Sequence, residues 1–341
     1  MKKVDCQKTI LFTMLVIGTM ITISAHSWIS MWMGLEINML AFIPLLTKTN
    51  NMLSAEASLK YFLIQTLASS IFIISSLMMC TYHNLLPDSN LINNLIIFSL
   101  LIKLGAAPFH FWFPSMIEGL SWLNCLILFT WQKIAPFIIL YLFINNSIIY
   151  LFILMSSIWG AVGGLNQTSV RKIMTYSSIN HISWLMMALK MNLNLFFLYF
   201  IVYTTITLFL NWTFYHFNIN HLNQLINFSN HNVLIKMLMM MNFMSLGGLP
   251  PFLGFLPKWT ILLKMISYQM MLIMIIMVMC SLLTLLYYMK IMVSSLLILT
   301  SQYKTSFLHL NLSMNLNQFT LIMMSTIPLY SLMFLSFFMI M

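Results

Sequence analysis

The chain has 341 residues, 61% of them hydrophobic and 6% charged, and its fifteen Lys and Arg outnumber five Asp and Glu to give a formal charge of +10. Soluble domains carry about 25% charged residues, so this composition excludes a water-soluble fold. The basic residues are scattered singly rather than gathered in a stripe, which argues against nucleic acid as a partner.

The apolar runs are continuous and far longer than the roughly ten alternating residues of a membrane barrel strand, which predicts an all-α polytopic membrane protein. Taken in order, the predicted spans are 9–25, 28–46, 55–80, 91–118, 121–143, 147–165, 171–190, 193–217, 232–267, 269–299 and 317–340, about eleven transmembrane helices. Lys2 and Lys3 before the first run imitate a signal peptide, but the many later spans favour a retained first helix. Only 217–231 and 300–316 are long enough to lie along the surface as loops, and the whole of 1–341 reads as a single membrane domain. Lys2, Lys3, Lys8, Lys48, Arg171, Lys172 and Lys304 collect on one side and Lys190 on the other, which predicts an N-terminus inside and a C-terminus on the opposite face. Cys6, Cys80, Cys125 and Cys280 stand alone, without the pairing of a disulfide framework, a zinc site or an iron–sulfur site.

Two spans are interrupted. Gly105, Pro108, Phe109 and Pro114 recur at identical spacing as Gly248, Pro251, Phe252 and Pro257. A proline removes a backbone donor and clashes with the carbonyl four residues back, so Pro108 frees the carbonyl of Leu104 and Pro251 that of Gly247. Ordinary proline kinks would be the plainer explanation, but they require neither the matched spacing nor a charge beside each break. Irregular backbone at membrane depth is tolerated where protein or a water-filled cavity covers it, and paired breaks in two halves of a chain mark a transport site. The breaks divide the chain into a five-helix repeat at 9–143, a second at 147–299 that is inverted because five is odd, and an extra C-terminal helix at 317–340.

Ionisable residues within the spans are few, and a charge at mid-membrane costs about 2.5–3.5 kcal/mol on insertion scales, so each needs a partner, water or a task. Glu36 lies mid-span in WMGLEINML. Lys103 stands in the last turn of a half-helix, whose negative end favours a cation, and a Glu36–Lys103 salt bridge is the natural expectation. Lys133 precedes Pro136, which frees the carbonyl of Gln132, and Lys258 follows Pro257 in a half of the chain that contains no acid. Amines set among freed carbonyls and apolar walls suit proton exchange. His110 and His181 are the histidines expected inside spans, as relays or as ordinary helix-to-helix hydrogen bonders. Glu56 and Lys60 read as an exposed i,i+4 pair, while Lys264 and Lys290 fall nearer a rim and Glu118 closes the first broken helix.

The stretches MWMGLEINMLAFIPLL, ASLKYFL, KLGAAPFHFWFP, WQKIAP, GGLNQTSVRKIMTYSSINHISW and SLGGLPPFLGFLPKW resemble the antiporter-like membrane subunits of the respiratory NADH:ubiquinone oxidoreductase, complex I, in an arthropod-like version. The resemblance is dense from about Ser27 to Trp259. It implies two inverted units, each holding half of a proton path, with the acid at Glu36, its lysine partner at Lys103, the central lysine at Lys133 and the exit-side lysine at Lys258. It further implies a multi-pass protein of the mitochondrial inner membrane, N-terminus to the matrix and C-terminus to the intermembrane space. Its partners would be other membrane-arm subunits, further antiporter-like chains among them, together with accessory subunits and lipids such as cardiolipin. NADH, FMN, iron–sulfur clusters and ubiquinone would be bound by other subunits, with no cofactor or metal in this chain. The bacterial relatives have three further helices at the start, and the resemblance implies a version without them. The competing expectations are a stand-alone cation/proton antiporter, which calls for carboxylates in both halves, a structural spacer of the membrane arm, and a quinone-binding subunit.

Overall fold

The computed structural model describes residues 2–47, 51–82, 90–227 and 233–302, and every regular element among them is a helix. In order these are α1 (Lys2–Ser24), α2 (Trp28–Leu46), α3 (Met52–Tyr82), α4 (Asn90–Leu104), α5 (Trp112–Ile117), α6 (Trp122–Phe129), α7 (Trp131–Tyr141) and α8 (Ile148–Gly163). They continue as α9 (Val170–Met191), α10 (Leu193–Phe217), α11 (Leu222–Asn227), α12 (Val233–Gly247), α13 (Phe255–Ser267) and α14 (Met271–Gln302). Six of the described helices are long and apolar enough to cross a membrane, within α1, α2, α3, α10 and α14 and across the α6–α7 segment. Of the other expected spans, 91–118 and 232–267 are split into shorter helices, while 147–165 and 171–190 are the continuous helices α8 and α9. The span expected at 317–340, and with it Lys48 and Lys304, lies outside the described residues.

The chain clusters into two compact units, Met1–Ser156 and Ser157–Met341, divided inside α8. In the first, α1 and α2 meet backbone to backbone. A Cβ added to Gly18 would stand 2.9 Å from the Asn38 nitrogen, and one added to Gly34 would stand 2.6 Å from the Thr22 methyl carbon and 2.8 Å from the Gly18 oxygen. Small residues substitute for a hydrophobic driving force here, because lipid is as apolar as any side chain. Helix α2 opens on a capping box in which Ser27 and Ser30 satisfy each other's backbone N–H.

The span at 121–143 is not continuous. Thr130 interrupts it with φ −114° and ψ −71°, its hydroxyl donates back to Leu126 O at 2.8 Å, and Lys133 N bonds Thr130 O in the tighter i−3 pattern at 3.3 Å. A threonine back-bond of this kind bends helices, and further along, in α7, Pro136 withholds a donor from Gln132 O.

In the second unit, α9 is buried along nearly its whole length. Asn192 ends it and starts α10, where its side chain accepts from Asn194 N. An isolated bridge between Ser169 and His221, with Arg171 donating to Asn220 Oδ1 at 2.8 Å, ties the start of α9 to the loop before α11.

Candidate functional site

The two helix breaks share one backbone design. At the end of α4, Ala106 N donates to Leu101 O at 3.0 Å and Gly105 N to Ile102 O at 3.1 Å. At the end of α12, Leu249 N donates to Met244 O at 3.3 Å and Gly248 N to Ser245 O at 3.1 Å. Both are Schellman closures with a left-handed glycine, φ +71° at Gly105 and +83° at Gly248. The closure satisfies two of the last four carbonyls and leaves two open: Lys103 O and Leu104 O in the first unit, Leu246 O and Gly247 O in the second.

The units occupy those carbonyls differently. In the second, the Lys258 amine reaches back across the break and donates to Gly247 O at 2.8 Å and Leu246 O at 3.4 Å. Gly247 O is the acceptor that Pro251 frees. In the first unit a neutral group does the same work, with Gln65 Nε2 of α3 donating to Lys103 O at 3.4 Å. The basic residue of the first break is Lys103 itself, in the last turn of α4, whereas Lys258 comes from beyond the break on α13.

Lys103 and Lys133 line one small cavity, partly open to the outside, with Asn38, Tyr61, Gln65 and Gln132 as its other polar walls and Leu35, Met39, Leu104, Trp112, Phe113, Leu128 and Pro136 as apolar ones. The space takes molecules of water size, on the order of one or two. Lys133 is 2% exposed. The expected Glu36–Lys103 salt bridge is not made. The Lys103 amine lies 5.9 Å over the Phe72 ring, and Glu36 stands apart from it on α2. An ion pair does form between Glu56 and Lys60, at 2.6 Å on an exposed turn of α3.

His110 is buried inside the first break and stacks on Phe111 with ring centroids 4.5 Å apart, but it is not among the residues lining the Lys103–Lys133 cavity. His181 on α9 is buried and shares a 2.8 Å hydrogen bond with the Tyr199 hydroxyl of α10. Both line a second, smaller cavity with Tyr203, Ser245, Leu246, Gly254 and Pro257, beside the α12 break. Lys258, 5% exposed, has its amine 5.8 Å over the ring of Trp184, one turn along α9 from His181. Lys264 and Lys290 are exposed, as is Glu118 after α5.

Sequence reasoning missed several members of these sites and one further buried amine. Lys236 is fully buried on α12, although its place four residues into a predicted span reads as a rim position. The amides Asn38, Gln65 and Gln132, and Tyr199, carry no motif. The available signal was their polar character in the middle of apolar runs. Among the described residues there is no group of three or more His, Cys, Asp or Glu that could hold a metal ion.

A helical membrane protein with Schellman-closed half-helices and buried amines matches, over residues 25–284, the family described as NADH:quinone oxidoreductase/Mrp antiporter, transmembrane. The chain belongs to this family. Among curated relatives it is 47% identical to an Anopheles gambiae protein over 85% of this chain and 86% of that one, and 44% identical to an Aedes aegypti protein over 95% and 94%. Both are named NADH-ubiquinone oxidoreductase chain 2, as is a Locusta migratoria relative at 40% identity. In fold it is similar to a chain of respiratory complex I from Thermus thermophilus, with a TM-score of 0.78 at 24% identity over 85% of this chain and 70% of that one. It is also similar to a chain of the Mrp complex from a Dietzia species, with a TM-score of 0.71 at 16% identity over 83% and 59%.

Proposed function

We propose that this chain is a core membrane-arm subunit of the proton-translocating NADH:ubiquinone oxidoreductase of the mitochondrial inner membrane, and that it forms an antiporter-like proton channel. The observation that carries this reading is the water-sized cavity whose walls include both Lys103 and Lys133. Redox chemistry proceeds in other subunits, which bind NADH, FMN, the iron–sulfur clusters and ubiquinone. A signal from that chemistry changes the field of Glu36 at Lys103, and the proton passes from Lys103 through cavity water to Lys133. Lys258, with His181 and Tyr199 near its break, forms the exit leg in the second unit, and His110 serves the first break. Moving each charge against the membrane potential costs about 2.3 kcal/mol per 100 mV, which electron transfer elsewhere supplies.

The layout that accompanies this function is eleven spans in two inverted five-helix repeats, 9–143 and 147–299, with an added helix at 317–340. The N-terminus faces the matrix and the C-terminus the intermembrane space. Other antiporter-like subunits, accessory subunits and cardiolipin cover the outer faces. The stand-alone antiporter is less well supported, because all five acids of the chain precede residue 119. The test is Lys133→Met in the assembled complex within sealed vesicles. Proton translocation per NADH should fall while the complex assembles normally, and undiminished translocation would refute the channel.

A further inference from the structure

Lys103 and Lys133 share a cavity, but most of its wall is apolar and offers water no hydrogen bond. Water in such a space stays only where polar groups hold it, typically by two to four bonds each. Asn38 comes from α2, Gln65 from α3 and Gln132 from α7, where Gln132 directly precedes Lys133. Gln132 Nε2 donates to Asn38 Oδ1 at 3.1 Å, and Asn38 is 3% exposed. Each primary amide has two N–H donors and an oxygen with two lone pairs, so one mutual bond leaves donors and an acceptor over, whichever way either amide is turned.

Resting on the proton-channel reading, we propose that Asn38 and Gln132 are positioning residues for proton transfer between Lys103 and Lys133, holding the cavity water with the amide groups that their mutual hydrogen bond leaves free. Amides are suited to this task. They fix the direction in which a water donates and accepts, and they are too weakly basic to trap the proton in passing. The mutual bond fixes each side chain, so the water site is set before the proton arrives, and reorganisation during transfer is small. Gln65 lines the same cavity but is held to the α4 carbonyl Lys103 O rather than to this pair.

The experiment compares Asn38→Leu, Gln132→Met, the exchanged pair Asn38→Gln with Gln132→Asn, and Lys133→Met, all in the assembled complex in sealed vesicles. It reads protons moved per NADH, the effect of D2O on that ratio, and the amount of complex. Each single variant should lower translocation about tenfold, the scale expected when a proton-transfer group is misplaced. The exchanged pair keeps the combined length and the amide chemistry and should restore more than half. If either single variant fails to assemble, the isosteric Asn38→Asp and Gln132→Glu replace it. Each puts a further titrating group in the path and should shift the pH profile of translocation away from the parent's. Normal translocation in the single variants, no recovery in an exchanged pair that assembles, or a pH profile in the carboxylate variants that matches the parent's would overturn the assignment. If Lys133→Met is silent the channel itself is refuted, whereas a dead Lys133→Met beside normal amide variants removes only the positioning role.

Discussion

Gly248→Ala tests the break in the second unit most sharply, with Gly105→Ala as its internal reference. Both glycines sit in the left-handed region, at φ +83° and +71°, where a Cβ costs about 1–2 kcal/mol. That strain is common to the two substitutions, but their surroundings differ. At Gly105 the new methyl group meets ring carbons of Trp112 and Phe113 at 3.3 and 3.4 Å, whereas at Gly248 it meets Cδ and Nζ of Lys258 at 3.0 Å. The tip of a lysine can swing aside, so the clash itself costs little. Swinging aside, however, takes the amine from Gly247 O, now 2.8 Å away. A hydrogen bond from a charged donor contributes about 1.5–3 kcal/mol, so Gly248→Ala should cost about 2.5–5 kcal/mol against about 1–2 for Gly105→Ala. Thermal inactivation of the assembled complex measures the difference, and proton translocation should fall further in Gly248→Ala. A double-mutant cycle supplies the decisive comparison: in a Lys258→Met background, Gly248→Ala should cost only the backbone strain. Equal costs in the two backgrounds would refute the argument that the glycine exists to admit the amine.

Three other outcomes follow from the geometry. Tyr199→Phe removes the partner of His181 Nδ1 at 2.8 Å and leaves a buried ring nitrogen to be satisfied otherwise, at a cost of about 1–3 kcal/mol, so translocation should drop, as flux measurements in vesicles would show. Gly34→Leu would drive a side chain into Thr22 and the Gly18 backbone, part α1 from α2, and reduce the quantity of assembled complex on native gels. Glu56→Gln should change stability by less than about 1 kcal/mol despite the 2.6 Å ion pair, since both partners are exposed, and a larger loss of thermal stability would contradict that reading.

Much of the backbone is legible from the chain alone because its causes are local. Helices α2 and α10 occupy the residues their apolar runs predict, 28–46 and 193–217, and both interrupted spans stop at the glycine that precedes Pro-Phe. Glycine permits the left-handed closure and proline withholds a donor, and neither effect needs a distant partner. Even the carbonyl of Gly247, freed by Pro251, is identifiable as an acceptor before any fold is known. The side-chain partners were a different matter. Gln65 finds Lys103 O across 38 residues of chain and Gln132 finds Asn38 across 94, and no periodicity encodes which polar side chain of one helix faces which of another.

Scarcity of acids made Glu36 the obvious contact for Lys103, yet the packed helices set Phe72 beneath that amine and leave the carboxylate apart from it on α2. The composition, the helical membrane class and the two broken helices are thus properties of the sequence itself, because short-range sterics and the insolubility of apolar segments in water decide them. Which carbonyl each lysine meets, which amides share a cavity with it, and that Lys236 is buried rather than at a rim were decided only when the helices packed. Depth in a folded bundle depends on every neighbour at once, and no single segment carries that information.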